Sequence, residues 1–303
     1  MSSRITCMLC NIHSPAELVS ATVRDDPSAR FKIVRCITCG HVQLFPHPSP
    51  EENTEYYATD SQTRSVMGGV DFSIWKTKTA ADEDRHINWL NSIMLHEGKV
   101  LDVCCGYGFL ADRMAKAGYQ ATGVDISRER IDLANARLHG TFICSAIDDV
   151  FIAAHRNEFG TVTLFQALEH INDPVAFLRQ LRELVSPGGL ILIEVPNCDD
   201  ELITYNDHYN RFYWQRAHLS YFDAARLALV LRKAGIKEFT IRGVQRYGLR
   251  NLIHWLDEGS PQLEDPSYYA KEPCLAHIEQ MYRLERERAM TSDTLIAEIR
   301  ICQ

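Results

Sequence analysis

Two pairs of cysteines near the N-terminus are the clearest chemical signal in the sequence. Residues 7–10 and 36–39 are both CxxC pairs, and 25 residues separate them. Two thiolates at this spacing can bind one metal ion, and two such pairs complete a closed tetrahedral site. Four protein ligands leave no open coordination position, so we predict a structural Zn²⁺ with the ligands Cys7, Cys10, Cys36 and Cys39.

A second pattern combines carboxylates with a glycine turn. Asp102 lies near the end of an apolar stretch that Gly106 and Gly108 follow, and such a turn lets the backbone approach a nucleotide-like ligand closely. A carboxylate inside the turn would repel a pyrophosphate. Asp125 ends the next apolar stretch, where it can accept both hydroxyl groups of a ribose. The alternative for Asp125 is that it merely ends a strand and caps a helix.

Two histidines are candidates for a general base, because imidazole titrates near neutral pH. These are His218, in a segment rich in aromatic residues, and His170, in the pair Glu169-His170. A structural role is the alternative for both. It is the preferred interpretation for His170, since the pair lies at the entry to a helix that begins at Asp173-Pro174.

Alternating strand and helix patterns must position these residues. We predict seven strands, at residues 99–105, 120–125, 141–145, 161–166, 190–195, 238–244 and 294–301. Ser127 and Asp173 are predicted helix N-caps. The alternation predicts an α/β fold with a parallel, doubly wound sheet and helices on both faces.

The chain divides by pattern into four segments. We predict a zinc-binding module at 1–45, a linker and helical cover at 46–97, a Rossmann-like core at 98–249, and a helical insertion with the final strand at 250–303. Three prolines within residues 46–50 mark the linker.

Composition narrows the class of partner and the compartment. The formal net charge of −8 disfavours a nucleic acid, whose binding depends on basic residues. No apolar run has the ~18–20 residues of a membrane span, so we expect no membrane contact and a cytoplasmic location. In that compartment thiols stay reduced, which favours metal binding over disulfides for the paired cysteines.

Five segments carry a resemblance to a known family. Residues 101–108, 123–127, 165–170, 184–197 and 218–222 resemble class I S-adenosylmethionine-dependent methyltransferases. The similar branch includes ubiquinone-type O-methyltransferases and bacterial sugar and natural-product methyltransferases. The cysteine pairs, followed by Pro-Ser-Pro-Glu-Glu and two tyrosines, match a zinc-bearing subset. The resemblance implies a Rossmann-like sheet of seven strands and S-adenosylmethionine as cofactor.

The resemblance also assigns residues to the parts of the cofactor. It places Gln166 beside the methionine portion and implies contacts with the methionine end from Asp102, Gly106 and Gly108, with the ribose from Asp125, and with the adenine from Ile126, Ala146 and Ile147. His218 lies in a segment that resembles one contributing a base in zinc-bearing deoxysugar C-methyltransferases.

Three positions depart from the family pattern. Cys104 replaces the first glycine of the turn, and we expect its Cβ to be tolerated only if φ stays negative. Gln166 replaces the first Glu of a Glu-x-x-Glu-His metal site, so we expect no catalytic divalent metal. Ala217 replaces the Glu that precedes the base in the deoxysugar enzymes, so specificity for that chemistry does not follow.

The leading hypothesis is therefore a methyltransferase that acts on O, N or C of a small molecule, such as a sugar or secondary metabolite, with His218 as the base. An RNA methyltransferase with a zinc module and a non-catalytic cofactor-binding scaffold are the alternatives. The sequence leaves open whether the chain forms a homodimer.

Overall fold

The computed structural model describes residues 4–58, 72–93, 98–262 and 273–301. The N-terminal part is an antiparallel sheet in which β1 to β4 are neighbours in chain order. A two-residue strand from the main domain, Ser220–Tyr221 (β10), pairs with β4 and completes this sheet. The four N-terminal strands are Arg4–Thr6 (β1), His13–Ser20 (β2), Lys32–Cys36 (β3) and Val42–Phe45 (β4).

The larger sheet contains the seven strands that the sequence predicts. They are Lys99–Val103 (β5), Gln120–Asp125 (β6), Thr141–Cys144 (β7), Phe159–Phe165 (β8), Val185–Pro196 (β9), Phe239–Val244 (β11) and Thr294–Arg300 (β12). Their order across the sheet is β11-β12-β9-β8-β5-β6-β7. Residues 191–195 of β9 are buried in succession, as expected for a sheet covered by helices on two sides.

Helices connect the strands and cover the sheet. They are Pro50–Ala58 (α1), Phe72–Ile93 (α2), Phe109–Lys116 (α3), Arg128–Arg137 (α4), Asp149–His155 (α5), Pro174–Leu184 (α6), Leu202–Tyr205 (α7), Asp207–Tyr213 (α8), Ala224–Lys233 (α9), Leu249–Glu258 (α10) and Pro273–Ala289 (α11). The predicted caps are confirmed, because Ser127 accepts the Arg130 N–H and Asp173 accepts the Ala176 N–H. The short helix α5 was missed by the sequence patterns.

The prediction of a fully parallel sheet is wrong for one strand. β12 pairs antiparallel with both β9 and β11. A parallel β12 would need a crossover to the opposite edge of the sheet. The insertion that contains α10 and α11 instead begins where β11 ends and returns to that same edge, so β12 enters the sheet reversed.

The N-terminal sheet packs directly on the main domain. Its buried residues Leu9 and Cys36 belong to the same hydrophobic cluster as Leu101 and Leu164 of the large sheet. Together with the β4–β10 pairing, this packing places residues of the cysteine region beside the segment around His218. The four-segment division of the chain stays a prediction.

Candidate functional site

A cavity of about 630 Å³ opens at the carboxyl ends of the central parallel strands. Four lining residues follow β5, β6, β7 and β8 in turn, namely Cys104, Ile126, Ala146 and Gln166. Ligands of open α/β sheets bind at this edge, because the strand ends diverge there into loops.

Most of the predicted cofactor residues lie in this cavity wall. Asp125, Ile126, Ala146, Ile147 and Gln166 line it. The remaining three, Asp102, Gly106 and Gly108, are not among its described lining residues. Gly106 is nevertheless directly bonded to Asp125, so the fold brings the glycine turn and the second carboxylate together as the sequence predicts.

Backbone hydrogen bonds fix the orientation of the Asp125 carboxylate. The Gly106 N–H donates to Asp125 Oδ2 and the Ser127 N–H donates to Oδ1, both at 2.9 Å. Each carboxylate oxygen has a second lone pair, so both can still accept from a ligand. The arrangement suits a diol such as a ribose.

The Asp102 carboxyl is buried beneath the turn. Thr163 Oγ1 donates to Asp102 Oδ1 at 2.7 Å. Burial raises the pKa of Asp102 to about 7, with a further increase from the nearby carboxylates of Asp125 and Glu83, although the Thr163 hydrogen bond acts in the opposite direction. A positively charged ligand group at this position would favour the ionised form.

The turn contains a strained cysteine. Cys104 has φ of +57°, so the expectation of a negative φ is wrong. The backbone adopts this conformation because Cys105 N–H donates to Val124 O and Gly106 N–H to Asp125. A side chain in the left-handed region costs about 1–2 kcal/mol. Glycine is required further along, at Gly108, where a Cβ would lie 2.2 Å from the ring of Phe142.

Gln166 is a second residue of the cavity wall that has positive φ without being glycine, at +51°. Its Nε2 donates to Glu194 Oε1 at 3.0 Å. Glu194 is fully buried at the end of β9 and also contacts Arg85 and His86 of α2. Although burial opposes ionisation, the hydrogen bond and charge of His86 and the hydrogen bond from Arg85 lower the pKa of Glu194 well below its usual range. An amide donor at position 166 therefore complements a carboxylate that the sequence patterns did not reveal.

His170 and His218 form a buried cluster with Glu169. One potential ligand atom from each of the three lies within 4.8 Å of the others. His170 lines the cavity, whereas His218 is not among the described lining residues and lies edge-on to His170, with ring centroids 4.9 Å apart. The more accessible of the two predicted bases is thus the one for which sequence favoured a structural role.

Partners from distant segments orient His170. Its Nδ1 lies 2.8 Å from both the Tyr57 hydroxyl and the Ala217 carbonyl oxygen. Tyr57 also donates to Ala217 O at 2.9 Å. Sequence reasoning named Ala217 only as a departure, and spacing alone gives no signal that α1 reaches this cluster.

Burial keeps this cluster uncharged. Neither carboxyl oxygen of Glu169 has a hydrogen-bond partner among the described residues. Burial raises the pKa of Glu169 to about 8 and lowers the pKa of His170 to about 4. Burial and the neighbouring His170 lower the pKa of His218 well below its usual range. These shifts favour a protonated carboxyl and two neutral imidazoles near pH 7, and a neutral imidazole is the form that can act as a base.

The four paired cysteines converge at one end of the N-terminal sheet. Cys7 Sγ lies 3.6 Å from Cys39 Sγ, and Cys10 Sγ lies 3.8 Å from Cys36 Sγ. A tetrahedral zinc site with Zn–S bonds of about 2.3 Å has S–S edges of about 3.8 Å. Burial raises the pKa of the Cys7 thiol, and backbone hydrogen bonds from Cys10 and Leu9 act in the opposite direction. The donor set and its spacing fit zinc.

The strand order, the reversed β12 and the cavity at the carboxyl edge define the class I S-adenosylmethionine-dependent methyltransferase fold. Two solved structures share it, each with a TM-score of 0.51. The first is an S-adenosylmethionine-dependent methyltransferase from Archaeoglobus fulgidus, 15% identical, matched over 80% of this chain and 99% of that chain. The second is the plantazolicin methyltransferase in complex with a monoazolic desmethyl analog and SAH, 17% identical, matched over 82% of this chain and 94% of that chain.

The chain belongs to the methyltransferase domain family, whose model matches residues 76–238. Among curated proteins it is 40% identical over 106 residues to a ubiquinone biosynthesis O-methyltransferase from Vibrio parahaemolyticus, covering 33% of this chain. A protein of the same description from Pseudomonas paraeruginosa is 36% identical over 118 residues, covering 37% of this chain. The chain matches 44% and 50% of the length of these relatives.

Proposed function

We propose that this protein transfers a methyl group from S-adenosylmethionine to an oxygen, nitrogen or carbon atom of a small molecule, with a sugar or secondary metabolite as the expected acceptor class. The observation that carries the proposal is the convergence of Asp125, Ile126, Ala146, Ile147 and Gln166 on one cavity at the strand ends. Oxygen is the acceptor atom of first choice, because the similar curated proteins are described as O-methyltransferases.

The cofactor site fits a sulfonium nucleoside in its charges. Asp102 and the glycine turn of Gly106 and Gly108 would bind the amino-acid end, and Gln166 would lie beside it. Asp125 would accept the ribose hydroxyls, with the adenine against Ile126. S-adenosylmethionine supplies a methyl group that its sulfonium already activates, so the protein has mainly to align the acceptor, which can contribute up to ~7–11 kcal/mol.

We assign the role of general base to His170, with His218 as its immediate neighbour. His170 faces the cavity and is neutral at pH 7, and the Ala217 carbonyl and the Tyr57 hydroxyl fix its ring. Because Nδ1 contacts Tyr57 and Ala217, the ring nitrogen that would take up a proton from an acceptor hydroxyl is Nε2, which lies 3.8 Å from the Glu169 carboxyl. That no catalytic divalent metal takes part stays a prediction, since these three side chains could also ligate one.

The cysteine cluster is proposed to bind a structural zinc ion. Its sheet shares β10 with the main domain, two residues from His218. The metal would therefore order one wall of the catalytic region without taking part in transfer.

The proposal is tested by calorimetry with S-adenosylhomocysteine and by release of this product from S-adenosylmethionine over a panel of hydroxylated and amino acceptors. Replacing His170 by Asn should leave product binding within about threefold and lower kcat by about 10²–10⁴. His218→Asn tests the neighbour in the same way. His254→Asn is the matched control, because His254 lies on α10 and is not among the described residues of the cavity wall.

Each outcome distinguishes between the candidate functions or between the candidate bases. Binding without turnover across the panel would favour a non-catalytic scaffold, and retention on RNA at moderate salt would favour an RNA methyltransferase. An unchanged kcat for His170→Asn would remove this residue from the mechanism.

The helices within the described part of the chain include none with the length and apolar character of a membrane span. The cytoplasmic location and a homodimer stay predictions.

A further inference from the structure

One cavity-lining side chain outside the family-matched segment has a buried acceptor atom with no partner. Asn53 of α1 lines the cavity and is 6% exposed. Its Oδ1 has no hydrogen-bond partner among the described residues. A buried carbonyl oxygen in this state costs free energy, so it calls for a ligand that donates a hydrogen bond.

The orientation of the Asn53 amide is fixed. Its Nδ2 donates to the His170 carbonyl oxygen at 3.1 Å and to Asn172 Oδ1 at 2.9 Å. Rotating the amide by 180° would place Oδ1 against these two acceptors and remove both bonds. The unpartnered atom is therefore the oxygen, and the missing partner is a donor.

Neighbouring contacts locate Asn53 along the cavity. Tyr57, one helical turn further along α1, contacts the His170 ring on the side where methyl transfer is proposed. Asn53 is bonded to the His170 backbone carbonyl and also to Asn172, which lies two residues before the start of α6. The first turns of α6 line the cavity through Ala176, and α6 packs against α5, the helix that follows Ile147. These contacts place Asn53 on the α6 side of the cavity, which leads toward the end proposed for the adenine.

One ligand group at that end has no acceptor among the side chains assigned to the adenine. The 6-amino group of adenine has two N–H donors, but the three residues assigned to this base, Ile126, Ala146 and Ile147, have apolar side chains. We infer that Asn53 Oδ1 accepts a hydrogen bond from the adenine 6-amino group, so that α1 contributes to recognition of the nucleoside. This inference rests on the proposed function.

The test compares three ligands by calorimetry on the full chain. They are S-adenosylhomocysteine, its analogue with unsubstituted purine, and its analogue with hypoxanthine. The natural protein should bind the first about 5–30-fold more tightly than the purine analogue, as expected for a lost hydrogen bond that leaves a buried acceptor unpaired. Hypoxanthine should bind more weakly still, because its 6-oxo group would face the Asn53 oxygen. Equal affinities for the three ligands would overturn the inference without any variant.

A variant then assigns the effect to Asn53. Asn53→Ala should weaken binding of S-adenosylhomocysteine by a similar factor, and its preference over the purine analogue should fall below about twofold. Thr54→Ala is the matched control, since Thr54 also lines the cavity but its hydroxyl already donates to Pro50 O at 2.8 Å. A preference retained in Asn53→Ala would assign the amino group to another residue, such as Gln180. No binding of S-adenosylhomocysteine by the natural protein would reject the proposed function together with this inference.

Discussion

The cavity at the strand ends and the cysteine cluster are positioned by different physical means. In the cavity, Asp125 and Gln166 are positioned by the ends of five parallel strands. The surrounding sheet stabilises locally unfavourable features, such as the positive φ of Cys104 and the burial of Glu169. In the cysteine region, the turns between β1 and β2 and between β3 and β4 bring four thiols within ligand distance of one another. The geometry of the cavity therefore depends on the fold. In the cysteine region, by contrast, we expect the fold to depend on the bound metal.

Metal removal should have the largest effect and would test this dependence directly. If zinc connects Cys7, Cys10, Cys36 and Cys39, stripping it with a chelator should lower Tm by roughly 10 °C or more, because a structural zinc ion contributes its binding energy to folding. Cys36→Ser should do the same. The measurement is thermal unfolding together with the zinc content of the purified protein.

The control for that variant is Cys274→Ser, which alters an exposed cysteine of α11 and should leave Tm and zinc content unchanged. Cleavage by a protease should begin within residues 1–45 of the stripped protein. Full stability after complete zinc removal would show that the two regions do not differ in the proposed way.

The second largest effect concerns Glu169 in the cavity region. Its folded-state pKa is raised by burial from an ordinary 4.5 to about 8, so folding favours the protonated form. Below pH 4.5 the carboxyl is protonated in both the folded and the unfolded state, so its contribution to stability does not change there. Between pH 4.5 and pH 8 the free energy of unfolding should fall by up to about 1.4 kcal/mol for each pH unit. Glu169→Gln should remove this loss.

Urea denaturation at pH 5 and pH 8.5 measures the difference. The free energy of unfolding of Glu169→Gln should be similar to that of the natural protein at pH 5 and higher by several kcal/mol at pH 8.5. Glu285→Gln, at an exposed position of α11, is the matched control. Parallel pH profiles for the natural protein and Glu169→Gln would mean that the carboxyl is ionised in the folded state and has a partner.

The sequence predicts site residues best where they lie close together in the chain or at the recognisable end of a strand. The CxxC pairs predict a cysteine cluster because both members of a pair lie on one turn. Asp102 and Asp125 could be paired because adjacent parallel strands end at the same edge. The seven strands follow from the same periodicity, although the reversal of β12 depends on where the long insertion returns.

Contacts between segments far apart in the sequence could not be predicted. Tyr57 meets His170 across 113 positions, and Gln166 meets Glu194 across 28. Each partner is an unremarkable residue in its own segment. The access of His170 to the cavity likewise depends on a contact between distant segments, in which Tyr57 of α1 donates to Ala217 O, and no local pattern reveals it.

The third effect tests the charge of Asp102. Because burial raises its pKa to about 7, a ligand that carries an ammonium group must displace a proton below that pH. The Kd of S-adenosylhomocysteine should therefore rise about tenfold for each pH unit below 7 and level off above it. Calorimetry in two buffers of different ionisation enthalpy should show proton release at pH 6. Asp102→Asn should bind weakly with no such dependence, and a constant Kd from pH 6 to 8 for the natural protein would exclude Asp102 as the ammonium contact.

The smallest effect concerns the strain in the glycine turn, and it separates fold-imposed geometry from side-chain preference. Cys104→Gly should relieve about 1–2 kcal/mol of left-handed strain. The greater conformational entropy of glycine in the unfolded chain should offset part of this gain, which leaves a net stabilisation of about 0.5–1 kcal/mol. Cys104→Ala keeps the Cβ and should show no gain. Cys105→Gly, where φ is not positive, should destabilise the protein instead.

Hydrogen bonds from Cys105 and Gly106 to β6 set the main chain at position 104. If the glycine and alanine variants were equally stable in urea, the turn would have to relax to suit its side chain. In that case the cavity would resemble the cysteine region, with local residues deciding the backbone.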